Sequence, residues 1–243
     1  MSILGAEDEQ RTRRRAGAWC AAIGAAVSVA GGAGFANLTN TAPASGVLDR
    51  LAGQASWLWP ASQLGFAVGA VLWAAAFFLL QPTATAGVSQ LLASLAALTI
   101  DLGATIHITD ALISGSALPQ LAALWASTPP GPVGQIPRLD LLARTDSVLE
   151  VLSGLWAGVL ILFHGAPFVL AGVAVLADHR APRVVAVPAI VGGTGSLGCG
   201  VAFFVPGGPN PTSLFIIFAL VDSAWMVLLA VLVTRRRSAP PGH

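Results

Sequence analysis

The chain has 243 residues, of which 55% are hydrophobic and only 9% are charged, and its formal net charge is +1. A soluble domain carries about 25% charged residues, so this composition excludes an ordinary soluble globular protein. The near-neutral charge leaves no electrostatic footprint for nucleic acid, and we expect no nucleic-acid partner. With a mean hydropathy of +0.77, the chain is predicted to be all-α, a polytopic bundle of membrane helices whose main partner is the lipid bilayer.

Six apolar stretches are long enough to cross a hydrocarbon core about 30 Å thick. They predict a transmembrane domain over residues 16–234, preceded by a basic segment, 1–15, and followed by a basic tail, 235–243. We interpret the first stretch as a helix rather than a cleaved signal peptide, because its apolar run exceeds the 7–15 residues of a signal h-region. The six predicted spans are residues 16–38, 61–80, 86–113, 149–177, 184–205 and 212–234.

The arginines predict the orientation of these spans. If the N-terminus is cytoplasmic, the outer segments hold only three arginines: Arg50, Arg138 and Arg144. This asymmetry is the positive-inside pattern, so both termini are predicted to be cytoplasmic and the protein to be multi-pass in the cell membrane. The cytoplasmic segments hold the remaining nine: Arg11, Arg13, Arg14, Arg15, Arg180, Arg183, Arg235, Arg236 and Arg237.

Two outer loops, 39–60 and 114–148, are predicted between the spans. The first loop places Val47, Leu48 and Leu51 near helical spacing, which predicts a short interfacial helix anchored by the following tryptophans, Trp57 and Trp59. The second loop begins with the turn-forming run "STPPGPVGQIP" and continues as "RLDLLARTDSVLE", which predicts a short amphipathic helix. This second loop is either a plain connector or a lid over an outward cavity.

Within the third span, "ALTIDLGATIHITDALI" places a carboxylate where a lipid-facing helix would carry leucine. An acidic side chain at a helix centre costs about 2.5–3.5 kcal/mol on insertion scales, so such residues usually face the bundle interior. Asp101 is near mid-depth, and the spacing of Gln90, Ser94, Asp101 and Thr105 places them on one polar stripe. We therefore predict that Asp101 and this stripe face inward. His107 and Asp110 are predicted to lie near the outer boundary, where water reaches.

The fourth and sixth spans each carry one ionisable residue about halfway along, His164 and Asp222 respectively. A depth count places Asp101, His164 and Asp222 in one slab, where two carboxylates and an imidazole could bind or relay a proton. The same residues could equally fix helix packing through interhelical hydrogen bonds. Glu150 lies near the outer end of the fourth span and is interpreted as a solvated helix start.

The remaining motifs favour packing over chemistry. No HExxH, CxxC or GxSxG pattern occurs, so no cofactor and no metal site is predicted. Cys20 and Cys199 lie in apolar segments and are interpreted as small buried hydrophobes. Gly154 and Gly158 form a GxxxG pair, whose small faces would let helices of this chain, or of an oligomer, approach closely.

The chain resembles a bacterial six-helix membrane family catalogued as domain-of-unknown-function family 4386. The likeness rests on arginines that lead into "RRAG" at 14–17, on "AAFFLLQP" at 75–82, and on a G-x-x-F-x-x-H-x-x-L-L-G helix followed by a turn with Pro-Arg. The outer loop 114–148 and the acidic residues of the third span depart from the family pattern. The resemblance implies a six-helix membrane fold and carries over no activity. The second-half match falls on Gly158, His164, Leu170, Gly172, Pro182 and Arg183.

Three functions are consistent with these observations. The polar residues could be structural in an accessory or partner-binding membrane protein. They could instead form a midplane site that binds or moves a small lipophilic molecule. They could also belong to an intramembrane enzyme in which Asp101 or Asp222 acts as a general acid, with His164 beside it, in an isoprenoid-type cyclisation or isomerisation.

Overall fold

A computed structural model describes residues 3–35, 43–81, 87–178, 183–205 and 211–235. Over these ranges the chain is helical and contains no β-strand, which confirms the predicted all-α class. The described α-helices are α1 (Ile3–Phe35), α2 (Ala44–Ala52), α3 (Leu58–Leu80), α4 (Val88–Ser127), α5 (Gln135–Val159), α6 (Ala166–Ala177), α7 (Ala186–Ala202) and α8 (Thr212–Arg235).

The long helices pack in a closed circle. α1 contacts α3, α3 contacts α4, α4 contacts α6, α6 contacts α7, α7 contacts α8, and α8 returns to α1. The centre of the circle is apolar and aromatic, with Trp73, Phe163, Phe168 and Trp225 each almost fully buried. Large apolar side chains remain exposed on the outer surface of most of these helices. An apolar core inside an apolar exterior is the pattern of a bundle surrounded by lipid rather than water.

Five of the described helical stretches are long and apolar enough to cross a membrane. They coincide with the second to sixth predicted spans, so the described bundle is compatible with a multi-pass integral membrane protein. The first predicted span, 16–38, lies mostly on α1, which is not among the five, and its last three residues fall outside the described ranges. Six spanning helices and cytoplasmic termini therefore stay predictions.

The predicted outer loop 114–148 is mostly helical; the helix predicted for its second part is present within α5, but its first part is not a loop. α4 continues through it to Ser127, and α5 begins at Gln135, so only a short connection separates the two helices. At 1.5 Å per residue, the 40 residues of α4 extend about 60 Å, roughly twice the thickness of a hydrocarbon core. The Ser, Gly and Pro residues near 114–119 look like loop residues, but Ser114, Leu118 and Ala122 are buried at helical spacing, and their packing holds the helix together.

The predicted short helix in the first outer loop is confirmed as α2. Its Val47, Leu48 and Leu51 are buried against the extended parts of α4 and α5. The indole Nε1 of Trp125 on α4 donates a hydrogen bond to Asp49 Oδ1 on α2, at 2.7 Å, and the Arg138 guanidinium on α5 stacks on the same ring. These contacts join three helices into a small second core.

The two tryptophans predicted as interface anchors behave differently. Trp57 is 67% exposed, as an anchor would be. Trp59 is buried instead, and its Nε1 donates a hydrogen bond of 3.0 Å to the backbone oxygen of Ser114. That bond connects the start of α3 to the middle of α4.

We expect Trp59→Phe to lower the free energy of unfolding in detergent by about 1 kcal/mol, because a buried backbone oxygen loses its indole donor. Trp57→Phe is the matched control and should leave stability within about 0.5 kcal/mol of the parent. Thermal unfolding of the two purified variants measures both effects, and equal losses would contradict the role assigned to the Trp59 bond.

Candidate functional site

The main polar contact inside the bundle joins His164 and Asp222. Nδ1 of His164 lies 3.3 Å from Oδ2 of Asp222, and the aspartate side chain has no exposed surface. The Ser196 hydroxyl on α7 donates a longer hydrogen bond, 3.4 Å, to the same carboxyl oxygen. Two of the three residues predicted to share one slab are therefore in contact, and they lie on different helices.

The backbone around His164 departs from an ordinary α-helix. Residues Leu160–Gly165 form a π-helical segment between α5 and α6. Pro167, the second residue of α6, lacks the N–H that would bond to the carbonyl of Phe163 in an α-helix. Gly165 has an unusual backbone conformation, with φ −86° and ψ −84°. π-segments are frequent at functional sites, because the wider turn redirects a side chain. Here the redirected region is the one that carries His164.

Space for the Asp222 carboxylate comes from Gly192 on α7. A Cβ atom at this position would overlap Oδ1 of Asp222. Oδ1 is itself buried and has no hydrogen-bond partner among the described residues. The carboxyl group is thus held on one side by His164 and Ser196 and faces a glycine on the other.

Aromatic rings enclose the imidazole. Three aromatic rings contact the His164 ring edge-on. The distances between ring centroids are 4.9 Å to Phe215, 5.0 Å to Phe163 and 5.6 Å to Trp73. These apolar neighbours leave Asp222 as the acidic side chain that pairs with His164. An enclosed imidazole–carboxylate pair can hold a proton between its two members, or it can simply fix the register of three helices.

The prediction that Asp101 faces the bundle interior is wrong. Its side chain is exposed on the outer surface of α4, in phase with Leu98 and Leu102, which are 59% and 54% exposed. The inward face of this part of α4 is formed by Ile100, Gly103 and Ala104. Gly103 is so close to the backbone at Leu162 and Phe163 that an added Cβ would collide with it. Small residues on that face, rather than the acid, mark the helix contact.

The polar stripe on α4 exists, but it faces outward. Ser94, Asp101 and Thr105 line one groove on the outer surface between α3 and α4, of about 550 Å³, here called the lateral groove. Gln81, at the end of α3, also lines it and donates a hydrogen bond to the Ser94 hydroxyl. Gln90 is exposed further along the helix and is not among the lining residues. The walls are apolar and come from both helices: Val71, Ala74, Ala75, Phe78, Ala97, Leu98, Ala104 and Ile108.

His107 and Asp110, predicted near a watery boundary, are buried instead. The imidazole is 3% exposed, and its Nδ1 has no hydrogen-bond partner in the described part of the chain. The reason is the length of α4, since these residues lie in its middle rather than at its end. Phe163 lies between the two imidazoles, with ring centroids 5.2 Å from His107 and 5.0 Å from His164. Glu150 is exposed, as predicted, but it lies inside α5 rather than at the start of a helix.

Ser196 and Gly192 belong to this site but were not predicted from the sequence. They are one helical turn apart in "VGGTGSLGCG", so they share the face of α7 that receives Asp222. A small residue and a hydroxyl at i and i+4 in an apolar helix could have indicated this face, but only with its partner helix known.

Comparison of the chain with protein-family models, curated proteins and solved structures finds no match. The resemblance to domain-of-unknown-function family 4386 therefore stays a prediction.

We expect Gly192→Ala to lower the stability of the protein in detergent by about 1–3 kcal/mol, because the new methyl group overlaps the Asp222 carboxylate. Gly198→Ala, on the same helix, has open space around its Cβ and should be neutral or slightly stabilising. In an Asp222→Ala background the cost of Gly192→Ala should largely disappear. Thermal unfolding of the set measures this, and a cost that persists without the carboxylate would show that Gly192 serves another contact.

Proposed function

We propose that this chain is an integral membrane protein that binds a small lipophilic molecule in the lateral groove, with Asp101 as the anchoring group. The observation that carries the proposal is the position of the carboxylate, which lies in a groove on the outer surface and among exposed leucines. A charged side chain that faces hydrocarbon is costly and is usually retained for function.

The dimensions and lining of the groove support this proposal. Its volume, about 550 Å³, is within the roughly 300–1,000 Å³ of small-molecule sites. The walls are mainly apolar and include a few polar side chains, which is the usual composition of a ligand site. Because the groove lies on the outer surface, a molecule dissolved in the bilayer would reach it laterally.

The charge of the groove favours a cationic ligand. Asp101 has no side-chain hydrogen bond or ion pair within the described ranges, and the neighbouring Thr105 hydroxyl donates to the Asp101 backbone oxygen instead. The groups available to a ligand are therefore one carboxylate and nearby amide and hydroxyl oxygens. A lipophilic ammonium would complement the carboxylate and place its apolar part against Phe78 and Leu98.

An accessory role is the second candidate, and one feature of the groove favours it. Ala74, Ala75, Ala97 and Ala104 give the groove a floor of small side chains, which would let a partner helix approach closely. Such a helix would need a basic residue at the depth of Asp101. The intramembrane-enzyme hypothesis has less support, because neither the lateral groove nor the cavity described below is lined by His164 or Asp222.

The test uses the protein in lipid nanodiscs and a long-chain alkylammonium probe that carries a photoreactive diazirine. We expect the probe to label peptides of α3 and α4, and Asp101→Asn to reduce labelling roughly tenfold, because a charge-assisted contact of about 1.5–3 kcal/mol is lost. Glu150→Gln, which removes an exposed carboxylate away from the groove, should label like the parent.

A neutral alcohol probe of the same chain length provides the second control. It should label more weakly than the ammonium probe and should not respond to Asp101→Asn. If neither probe labels α3 or α4, the proposed function is wrong. If both label equally in parent and variant, the groove binds apolar chains without using Asp101 as an anchor.

A further inference from the structure

A second cavity, of about 190 Å³, lies at the end of the bundle next to the arginine-rich part of α1. It is bounded by α1, α3, α4, α6 and α8 together with Val185, which precedes α7. Its walls are mostly apolar, with Phe77, Leu80, Trp225 and Met226 among them. This Arg14 cavity shares only Gln81 with the lateral groove, so what it binds is independent of the proposed function.

Arg14 is the cation of this cavity. Its side chain is half-buried, and its Nε is buried with no hydrogen-bond partner in the described part of the chain. A buried donor without a partner costs free energy, and more so when it belongs to a charged group. The adjacent Arg13 differs, because it is exposed and forms a 2.8 Å ion pair with Glu9 one turn earlier. Arg14 thus lines the cavity with a guanidinium whose Nε has no partner in the described part of the chain.

The chemistry of the cavity selects an amphiphile with an anionic oxygen-rich head. The Nε edge of a guanidinium matches phosphate oxygens, and the apolar walls match an alkyl chain. Asp178 also lines the cavity, but it already has an interaction of its own. Basic pockets between membrane helices near the membrane surface are known binding sites for anionic lipid headgroups.

We infer that the Arg14 cavity binds a phosphate-bearing amphiphile, with the phosphate on Arg14 and part of an acyl chain against Trp225 and Met226. The occupant is an anionic phospholipid of the surrounding membrane leaflet. Binding would give the Arg14 guanidinium an anionic partner and would hold together α1, α4, α6 and α8, which all line the cavity.

The experiment compares thermal unfolding of the full chain in nanodiscs of phosphatidylcholine with and without phosphatidylglycerol. A ligand that binds only the folded state raises the unfolding midpoint. For a chain of this size we expect phosphatidylglycerol to raise it by about 3–6 °C. Arg14→Gln should abolish most of this difference. Arg13→Gln, which removes the same charge from the neighbouring exposed position, should retain it.

Two further measurements separate the cavity from general electrostatics. Ala93→Leu keeps Arg14 but fills part of the cavity wall, and it should also remove the phosphatidylglycerol effect. Soluble glycerol phosphate, which lacks an acyl chain, should give no shift. Equal losses in Arg13→Gln and Arg14→Gln, a full effect in Ala93→Leu, or a full shift with glycerol phosphate would each overturn the inference.

Discussion

The fold depends on where a bundle in hydrocarbon can place its carboxylates, since lipid offers them no hydrogen bonds. The Asp222 carboxylate is fully buried and contacts His164 and Ser196. At this contact α7 presents a glycine to the carboxylate, and His164 lies in the π-segment between α5 and α6. One buried polar contact thus joins the π-segment, α7 and α8.

The Asp101 carboxylate is exposed instead, because α4 directs it away from the core. On α4 the inward face is occupied by small residues that let the backbone of the π-segment approach, and a carboxylate there would keep the helices apart. The acid is therefore directed outward among leucines, where its cost must be offset by something outside the bundle. This is the physical link between the packing of α4 and the ligand site proposed in the lateral groove, and it separates Asp101 from the His164–Asp222 pair.

Hydropathy and length were enough to predict an apolar all-α bundle and the position of five long helices, because span length reflects bilayer thickness. A depth count placed His164 and Asp222 in one slab together with Asp101, but it could not show which of their faces meet. The direction that Asp101 faces could not be predicted from depth, because the rotation of α4 about its axis is set by the helix it packs against. The small residues at 96, 97, 103 and 104 indicated the inward face instead. The outer extensions of α4 and α5 were missed because Pro, Gly and Ser locally favour a loop, whereas their helices are held by burial against α2 and Trp59.

The outward orientation of Asp101 can be measured by a spin-label scan along α4 in lipid nanodiscs. Single nitroxide labels at residues 96–108 would be compared by their accessibility to oxygen, which is concentrated in the hydrocarbon. If Asp101 faces outward, the oxygen accessibility should oscillate along the helix, with maxima at Leu98, Asp101, Leu102 and Thr105 and with minima at Ile100, Ala104 and His107. A scan in which position 101 is as protected as positions 100 and 104 would contradict it.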